Sequence, residues 1–371
     1  MKILFATGGT GGHVNPALAV ANRIRTQMDA DILFVGTPNH IEARLVPNAG
    51  FDFKTIEISG FNRTFSSKAI KHNLGTIKRM FKSSRDSRKI IEEFGPDVVV
   101  GFGGYVSGPV LRTAHKVGIP IAIHEQNAFP GVTNKALAKV ADLVMLTSED
   151  AINRIKCKNE PVLTGLPVRD ELINANRVDA RKKLDIPDGI PLVLSMGGSL
   201  GAKKINEAIC GLIVNKKDDR DCMFIHATGK NGLWVLDRLR ELGVDLDNRD
   251  DIRIREYIDD MEVCMPAADI VICRCGASSL YEIRALGKAS ILIPSPNVAE
   301  NHQYFNGLEL QNNGAAILFE EKDLTADLLT EKVNELIQNP QMIEKLEKNA
   351  KAMTIPNATD LIVEHILKLV K

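Results

Sequence analysis

Two glycine-rich turns, Gly8-Gly9-Thr10-Gly11-Gly12-His13 and Gly197-Gly198-Ser199-Leu200-Gly201, lie about 190 residues apart in a chain of 371. Each follows a short apolar run, residues 3–6 and 192–196, and each opens a helix-forming stretch, residues 16–21 and 204–209. Runs this short, apolar on both faces, fit strands buried in a parallel sheet. A strand, a glycine turn and a helix in that order leave backbone N–H groups at the positive end of a helix, where anionic groups dock. Two such units predict a cleft with one reactant on each wall.

The rest of the chain repeats the alternation. Strand-like runs are read at 3–6, 32–35, 53–58, 98–101, 121–123, 143–146 and 162–163, then at 192–196, 223–227, 252–255, 270–273, 290–293 and 315–318, with helical patterns between them. Alternating short strands and helices imply parallel sheets with right-handed crossovers, hence an α/β chain of two doubly wound, Rossmann-like domains. The length agrees, since it exceeds what one hydrophobic core usually serves. The joint is placed at Gly165-Leu166-Pro167, giving domains 1–164 and 165–356; a last helix over 357–371, after Ile355-Pro356-Asn357, is expected to return to the first domain.

Charge divides unevenly although it sums to zero. Residues 1–163 carry 21 Lys+Arg against 14 Asp+Glu, so the remainder carries 26 against 33. The basic excess concentrates between Lys68 and Lys89, where Lys71, Lys78, Arg79, Lys82, Arg85 and Arg88 face one acid, Asp86, and Ile70, Leu74, Ile77 and Phe81 fall on one helical face. Such a segment suits an anionic membrane surface, and equally an amphipathic helix packed on a sheet. No run reaches the roughly 18 apolar residues of a membrane span, and the start lacks a signal-peptide layout, so a cytoplasmic protein is expected. The six cysteines, Cys157, Cys210, Cys222, Cys264, Cys273 and Cys275, form no metal-ligand spacing and read as buried thiols.

Several ligands are disfavoured by what the turns lack. Val14 stands where a dinucleotide fingerprint needs its third glycine, and Val35-Gly36-Thr37 offers no acid for a ribose, which argues against NAD. No P-loop string occurs. Asp29/Asp31, Asp219/Asp221 and Asp245/Asp247 sit in polar stretches and read as solvated turns, not metal sites.

Beyond the turns, the strings Gly103-Gly104-Tyr105-Val106-Ser107-Gly108-Pro109, His124-Glu125-Gln126-Asn127, Gly165-Leu166-Pro167-Val168-Arg169, Tyr257-Ile258-Asp259-Asp260-Met261, Cys273-Arg274-Cys275-Gly276-Ala277 and His302-Gln303-Tyr304 follow in order. With them the chain resembles, over nearly its whole length, glycosyltransferase family 28, and within it the UDP-N-acetylglucosamine transferases that complete lipid II in peptidoglycan synthesis. The resemblance implies a GT-B fold, a lipid-linked acceptor (lipid I) on the front domain, UDP-GlcNAc mainly on the rear one, inversion by single displacement, and a peripheral site on the cytoplasmic side of the cell membrane. No cofactor, metal or nucleic acid is expected.

The resemblance also distributes roles, and the residue chemistry supports them. Ala277, Ser278, Ser279, Leu280 and Tyr281 form a helix start suited to the donor diphosphate, with Ser199 donating a hydroxyl. Glu282 is placed on the ribose, the Ile258 backbone on the uracil and Gln303 on the sugar hydroxyls. Arg169 either neutralises phosphate or forms an interdomain ion pair, and Arg274 is a weaker second cation. Thr10, Gly11, Gly12 and Asn127 complete the donor side, although the first turn can also share the acceptor's pyrophosphate with Gly103, Gly104, Tyr105 and Ser107. His13 is the first candidate for the base that deprotonates the acceptor hydroxyl, Glu125 the second. Cys275 and Leu166 depart from the Ser and Asn usual in the family. Three alternatives stand beside this reading: a same-fold UDP-GlcNAc 2-epimerase, a transferase to another glycolipid, and a non-catalytic sugar-nucleotide-binding subunit.

Overall fold

A computed structural model of the chain describes residues 1–58 and 82–370. The described chain divides into two compact units. The front unit comprises Met1–Pro167 with Ile355–Lys371, the rear unit Val168–Thr354.

The front sheet has seven strands: β1 (Lys2–Ala6), β2 (Asp31–Gly36), β3 (Asp52–Thr55), β4 (Val98–Gly101), β5 (Ile121–Glu125), β6 (Leu143–Leu146) and β7 (Val162–Leu163). Their order is β3-β2-β1-β4-β5-β6-β7, with every pair parallel. The helices are α1 (Gly11–Gln27), α2 (Glu42–Asn48), α3 (82–94), α4 (Ser107–Lys116) and α5 (Val132–Leu137). One face of the sheet buries Ile3, Phe5 and Phe34 under α1, the other Leu4, Val99 and Ile123 under α4. Phe5 stacks on Phe34 at 5.0 Å between ring centroids. The alternation of Ile3, Leu4, Phe5 and Ala6 between two cores is why a strand here must be apolar at every position.

The rear unit begins with α6 (Asp170–Ile173) and α7 (Arg177–Lys183). Its six strands, β8 (Leu192–Met196), β9 (Met223–Ala227), β10 (Ile252–Arg255), β11 (Ile270–Cys273), β12 (Ala289–Leu292) and β13 (Ile317–Leu318), run in the order β10-β9-β8-β11-β12-β13, again all parallel. Between and after them lie α8 (Lys203–Asn215), α9 (Trp234–Glu241), α10 (Met261–Ala267), α11 (Ala277–Leu286), α12 (His302–Asn312), α13 (Ala326–Gln338) and α14 (Pro340–Ala352). The last helix, α15 (Ala358–Leu367), belongs to the front unit: Ile362, Val363 and Ile366 are buried in the core of β1 and α1, and Arg23 Nε meets Asp360 at 2.6 Å.

Local differences from the sequence reading have physical causes. Helix α1 begins at Gly11, five residues before the stretch read as helix, with Pro16 inside its second turn. Only the Gly12 carbonyl loses its i+4 donor there, a small cost so near the helix start. Two of the four edge strands shrink, β3 stopping at Thr55 and β13 keeping two residues, whereas β7 and β10 keep the bounds read from the sequence. Residues 68–81 of the basic segment lie outside the described residues; Lys82, Arg85, Arg88 and Lys89 fall on helical 82–94, where Lys82 Nζ sits 2.8 Å from Glu57.

Candidate active site

Both sheets wind outward from a central pair, β1/β4 in front and β8/β11 behind. In such sheets ligands bind beyond the carboxyl ends of the strands at the point where the winding reverses. The turn 8–13 follows β1 and the loop 102–106 follows β4; the turn 197–201 follows β8, and α11 follows β11.

In the front unit these loops interlock. Gly103 and Gly104 hold φ of +92° and +82°, and a side chain on Gly104 would run into the carbonyl oxygen of Gly8. His13, third residue of α1, folds back so that Nδ1 lies 3.2 Å from Gly8 O and 3.3 Å from Thr10 Oγ1. A carbonyl can only accept, so Nδ1 is assigned the proton and Nε2 the lone pair. A Cβ on Gly103 would stand 3.1 Å from Nε2, which puts the basic nitrogen along the Gly103 backbone.

Behind the turn stands a residue that the sequence reading missed. Glu42, first residue of α2, is fully buried. Its Oε2 accepts from Gly9 N at 3.0 Å, and its Oε1 accepts from Thr37 N at 3.0 Å and Thr37 Oγ1 at 2.6 Å. Burial pushes its carboxyl up, but these hydrogen bonds together hold it below the ordinary glutamate value. A Cβ at Gly8 would meet Oε1 at 2.5 Å, so the turn has room for the carboxylate only because it is glycine. A single acid in the first turn of a helix reads as solvated; the tertiary signal is the missing side chain across from it.

At the end of β5, Glu125 is 2% exposed. Its Oε1 accepts from Asn127 N and Asn127 Nδ2, both at 3.0 Å, and its Oε2 from Gly131 N at 3.0 Å and Asn134 Nδ2 at 2.9 Å. Four donors fill a carboxylate's acceptor sites, so this geometry favours Glu125 as the organiser of the 125–131 loop over a base, and it presents Asn127. Ser107 is likewise internal: its hydroxyl donates to Gly103 O at 2.8 Å and lies 3.0 Å from Ala6 O, which ties the loop from beneath. Tyr105 alone of that string is strongly exposed, at 61%. His124 donates from Nε2 to Gly165 O at 2.9 Å and accepts from Gln126 Nε2 at 3.1 Å; burial pulls its pKa down to about 4.

In the rear unit Gly276 caps α11 in an extended conformation, and the first intrahelical bond runs from Leu280 N to Gly276 O at 3.0 Å. The amides of Ala277, Ser278 and Ser279 precede that bond and cluster at the helix start. Ser278 Oγ is buried with no hydrogen-bond partner among the described residues. Leu280 and Tyr281 turn their side chains into the protein, with Arg284 5.1 Å over the Tyr281 ring, so only their backbone faces the helix start. Ile258 is also buried and offers backbone alone. Ser199 is exposed on its turn.

Glu282, one turn into α11, pairs with Arg169 at 3.4 Å. Burial pushes the Glu282 carboxyl up and the arginine pulls it part of the way back. The pair lies within the rear unit, unlike the interdomain ion pair considered for Arg169. Gln303 accepts from Ser295 N at 2.9 Å through Oε1, which orients its amide. Arg274 is spent internally, on Ile293 O at 3.3 Å, Pro294 O at 3.1 Å and the Glu321 carboxylate; this geometry favours a structural role for it over phosphate binding. Cys275 is fully buried, its Sγ 2.9 Å from where a Cβ on Gly307 would sit, so this departure from the family is a packing choice. Leu166 is buried in the front unit.

Residues 3–146 match the Glycosyltransferase family 28 N-terminal domain, and residues 192–362 match the Glycosyltransferase family 28 C-terminal domain. The chain is 43% identical over 373 aligned residues to the UDP-N-acetylglucosamine--N-acetylmuramyl-(pentapeptide) pyrophosphoryl-undecaprenol N-acetylglucosamine transferase of Acetivibrio thermocellus, covering 100% of this chain and 99% of that one. The transferase of the same name from Clostridioides difficile is 42% identical, with 100% and 89% covered. Among solved structures, Acinetobacter baumannii MurG aligns with a TM-score of 0.79 at 29% identity over 99% of each chain. A UDP-GlcNAc 2-epimerase from Neisseria meningitidis shares the fold at a TM-score of 0.64 and 14% identity, over 99% of this chain and 100% of that one. With both family domains in sequence order and this identity over its full length, the chain belongs to glycosyltransferase family 28 and has its GT-B-like pair of parallel-sheet units.

Proposed function

We propose that the protein transfers N-acetylglucosamine from UDP-GlcNAc to the 4-hydroxyl of the N-acetylmuramyl sugar of undecaprenyl-pyrophosphoryl-MurNAc-pentapeptide, lipid I, giving lipid II. The observation that carries this reading is full-length identity of 43% to a transferase of that name, joined to strand-end sites in both units.

In this reading His13 Nε2 takes the proton of the acceptor hydroxyl as its oxygen attacks the anomeric carbon of the donor. The bond from that carbon to the phosphate oxygen breaks on the opposite face, so configuration inverts and UDP leaves with the electron pair. The α11 amides, that of Ser278 among them, the Ser199 hydroxyl and Arg169 receive the diphosphate charge. Glu282 takes the ribose hydroxyls and the Ile258 backbone the uracil. Gln303 and Asn127, with the first-turn backbone of Thr10, Gly11 and Gly12, take the sugar. Gly103, Gly104 and Tyr105 take the acceptor's pyrophosphate end. Ser107 and Glu125 hold those loops in shape.

Membrane contact is assigned to the front unit. A cavity of about 730 Å3 there is lined by the exposed Tyr105, Val117 and Val132 together with Arg88, Arg112 and Lys116, a mixture of apolar and basic side chains that suits a lipid carrier and anionic headgroups. Among the described residues no helix is long and apolar enough to cross a membrane; peripheral attachment on the cytoplasmic side is part of the proposed reading.

The test is a transfer assay with UDP-GlcNAc and a lipid I analogue, with product linkage assigned by NMR. A β-1,4-linked disaccharide lipid is expected. A mannosamine product without acceptor would point to the epimerase, and binding of both reactants without turnover would sink the assignment.

A further inference from the structure

We propose that Glu42 acts on His13 through the peptide that joins Gly8 to Gly9, as a positioning residue for the base. The inference rests on the reading of His13 given above, but its geometry is independent of it. Glu42 Oε2 accepts the N–H of Gly9 at 3.0 Å, and the carbonyl of the same peptide unit, Gly8 O, lies 3.2 Å from His13 Nδ1. The N–H and C=O of a trans peptide point in opposite directions, so carboxylate and imidazole sit on the two sides of one planar group. A carboxylate that takes the N–H polarises the amide and makes its oxygen a stronger acceptor. That favours the Nδ1–H tautomer, leaving the lone pair on Nε2. It also favours the imidazolium over the neutral ring, because the charged ring is the stronger donor to Gly8 O.

The arrangement matches the logic by which a carboxylate orients a histidine directly, with a peptide interposed. When Nε2 accepts the hydroxyl proton, Glu42 stays ionised and no proton passes along the relay; its charge offsets the one that appears on the ring. Two further features hold the relay rigid. Thr37 binds the second carboxylate oxygen through both its amide and its hydroxyl, at 3.0 and 2.6 Å, and so fixes the carboxylate's rotation. Gly104 packs against Gly8 O, at a distance no side chain would allow, and covers the peptide from the loop that follows β4. Other titratable groups on the packed elements and loops include His40, whose Nδ1 is 2.6 Å from Thr37 Oγ1, His124 and Glu125 at the end of β5, Tyr105 beyond Gly104, and, along the elements themselves, Arg23 and Arg25 on α1, Arg44 on α2 and Asp31 at the start of β2. Of these, His124 and Glu125 are engaged with Gly165 O and with the 125–131 loop.

E42Q separates the relay from the fold. A glutamine can keep its oxygen on the two Thr37 donors and must then turn its NH2 toward the Gly9 N–H, which breaks one arm. The expected result is a kcat lowered roughly 10- to 100-fold, by analogy with the loss seen when the outer-shell partner of a metal-bound histidine is removed, with the KM for UDP-GlcNAc within about twofold. The His13 ring, followed by NMR in the whole protein, should titrate at lower pH, and the acid limb of kcat should move down with it. A fall in kcat with no change in the His13 titration would reduce Glu42 to a packing residue and overturn the proposal. If the titration moves but H13A retains turnover, the relay stands and the assignment of His13 as base falls. Should E42Q fail to fold, the unaltered chain decides: a neutral His13 carrying its proton on Nε2 is incompatible with the relay, and one carrying it on Nδ1 is required by it.

Discussion

At the scale of residues, the chemistry divides into groups that face outward and groups that hold them. His13, Asn127, Ser199 and Gln303 are half-buried or exposed; Glu42, Glu125, Ser107 and His124 are buried and spend their polar atoms on backbone and neighbours. H13A should leave UDP-GlcNAc binding intact and lower kcat by roughly 100- to 10,000-fold, the usual contribution of a positioned base; calorimetry and turnover measured on one sample separate the two. R169A removes the cation that pulls Glu282 back toward its ordinary value. Its carboxyl should then titrate at still higher pH, so donor KM should rise most steeply on the acid side of the profile, while a pH-independent rise would place Arg169 on the phosphate alone. The outward group was legible in the sequence, because glycines and hydroxyls in order after short strands leave few places for a ligand. The holding group was not: Glu42 becomes meaningful only when Gly8 and Gly36, distant in sequence, both leave it space.

At the scale of elements, the strands of both sheet centres coincide with the apolar runs, since residues buried on both faces allow no polar interruption. Of the four edge strands, β7 and β10 also coincide, but β3 and β13 do not: β3 is mostly exposed and carries Asp52 and Lys54, and β13 is two partly buried aliphatics whose pattern a loop can share. The start of α1 was also hidden: glycines at 11 and 12 read as turn, and the helix accepts them because tertiary packing of Val14, Ala17, Val20 and Ala21 outweighs propensity. The interlocked loops give a prediction at this scale. G104A adds a Cβ at φ +82° and against Gly8 O. It should destabilise the front unit by about 2 kcal/mol or more and abolish transfer, while UDP-GlcNAc still binds the rear unit. A G104A enzyme with normal turnover would show that the two loops need not touch.

At the scale of the whole molecule, each unit contains, among the described residues, one fully buried histidine whose pKa burial lowers from 6.5 to about 4, His124 in front and His226 behind. The sign follows: the unfolded chain binds these protons first, so stability is lost as pH falls from about 6.5 toward 4. Each histidine accounts for roughly 3 kcal/mol across that window, and denaturant titrations at pH 7 and pH 4.5 should differ accordingly, with H226N flattening the dependence of the rear unit's transition. Helix α15 raises another consequence. Its three buried aliphatics finish a core whose other members lie in the first 167 residues, with the whole of Val168–Thr354 synthesised in between. The portion of the chain made first therefore cannot complete its fold first. At about 5–20 residues per second, the front sheet waits on the order of ten to forty seconds, one side of its core uncovered, for a helix still inside the ribosome. Nascent chains stalled with residue 354 just emerged should show a protease-resistant rear unit beside a sensitive front one, which makes the ribosome-bound interval the time when this protein most needs a chaperone.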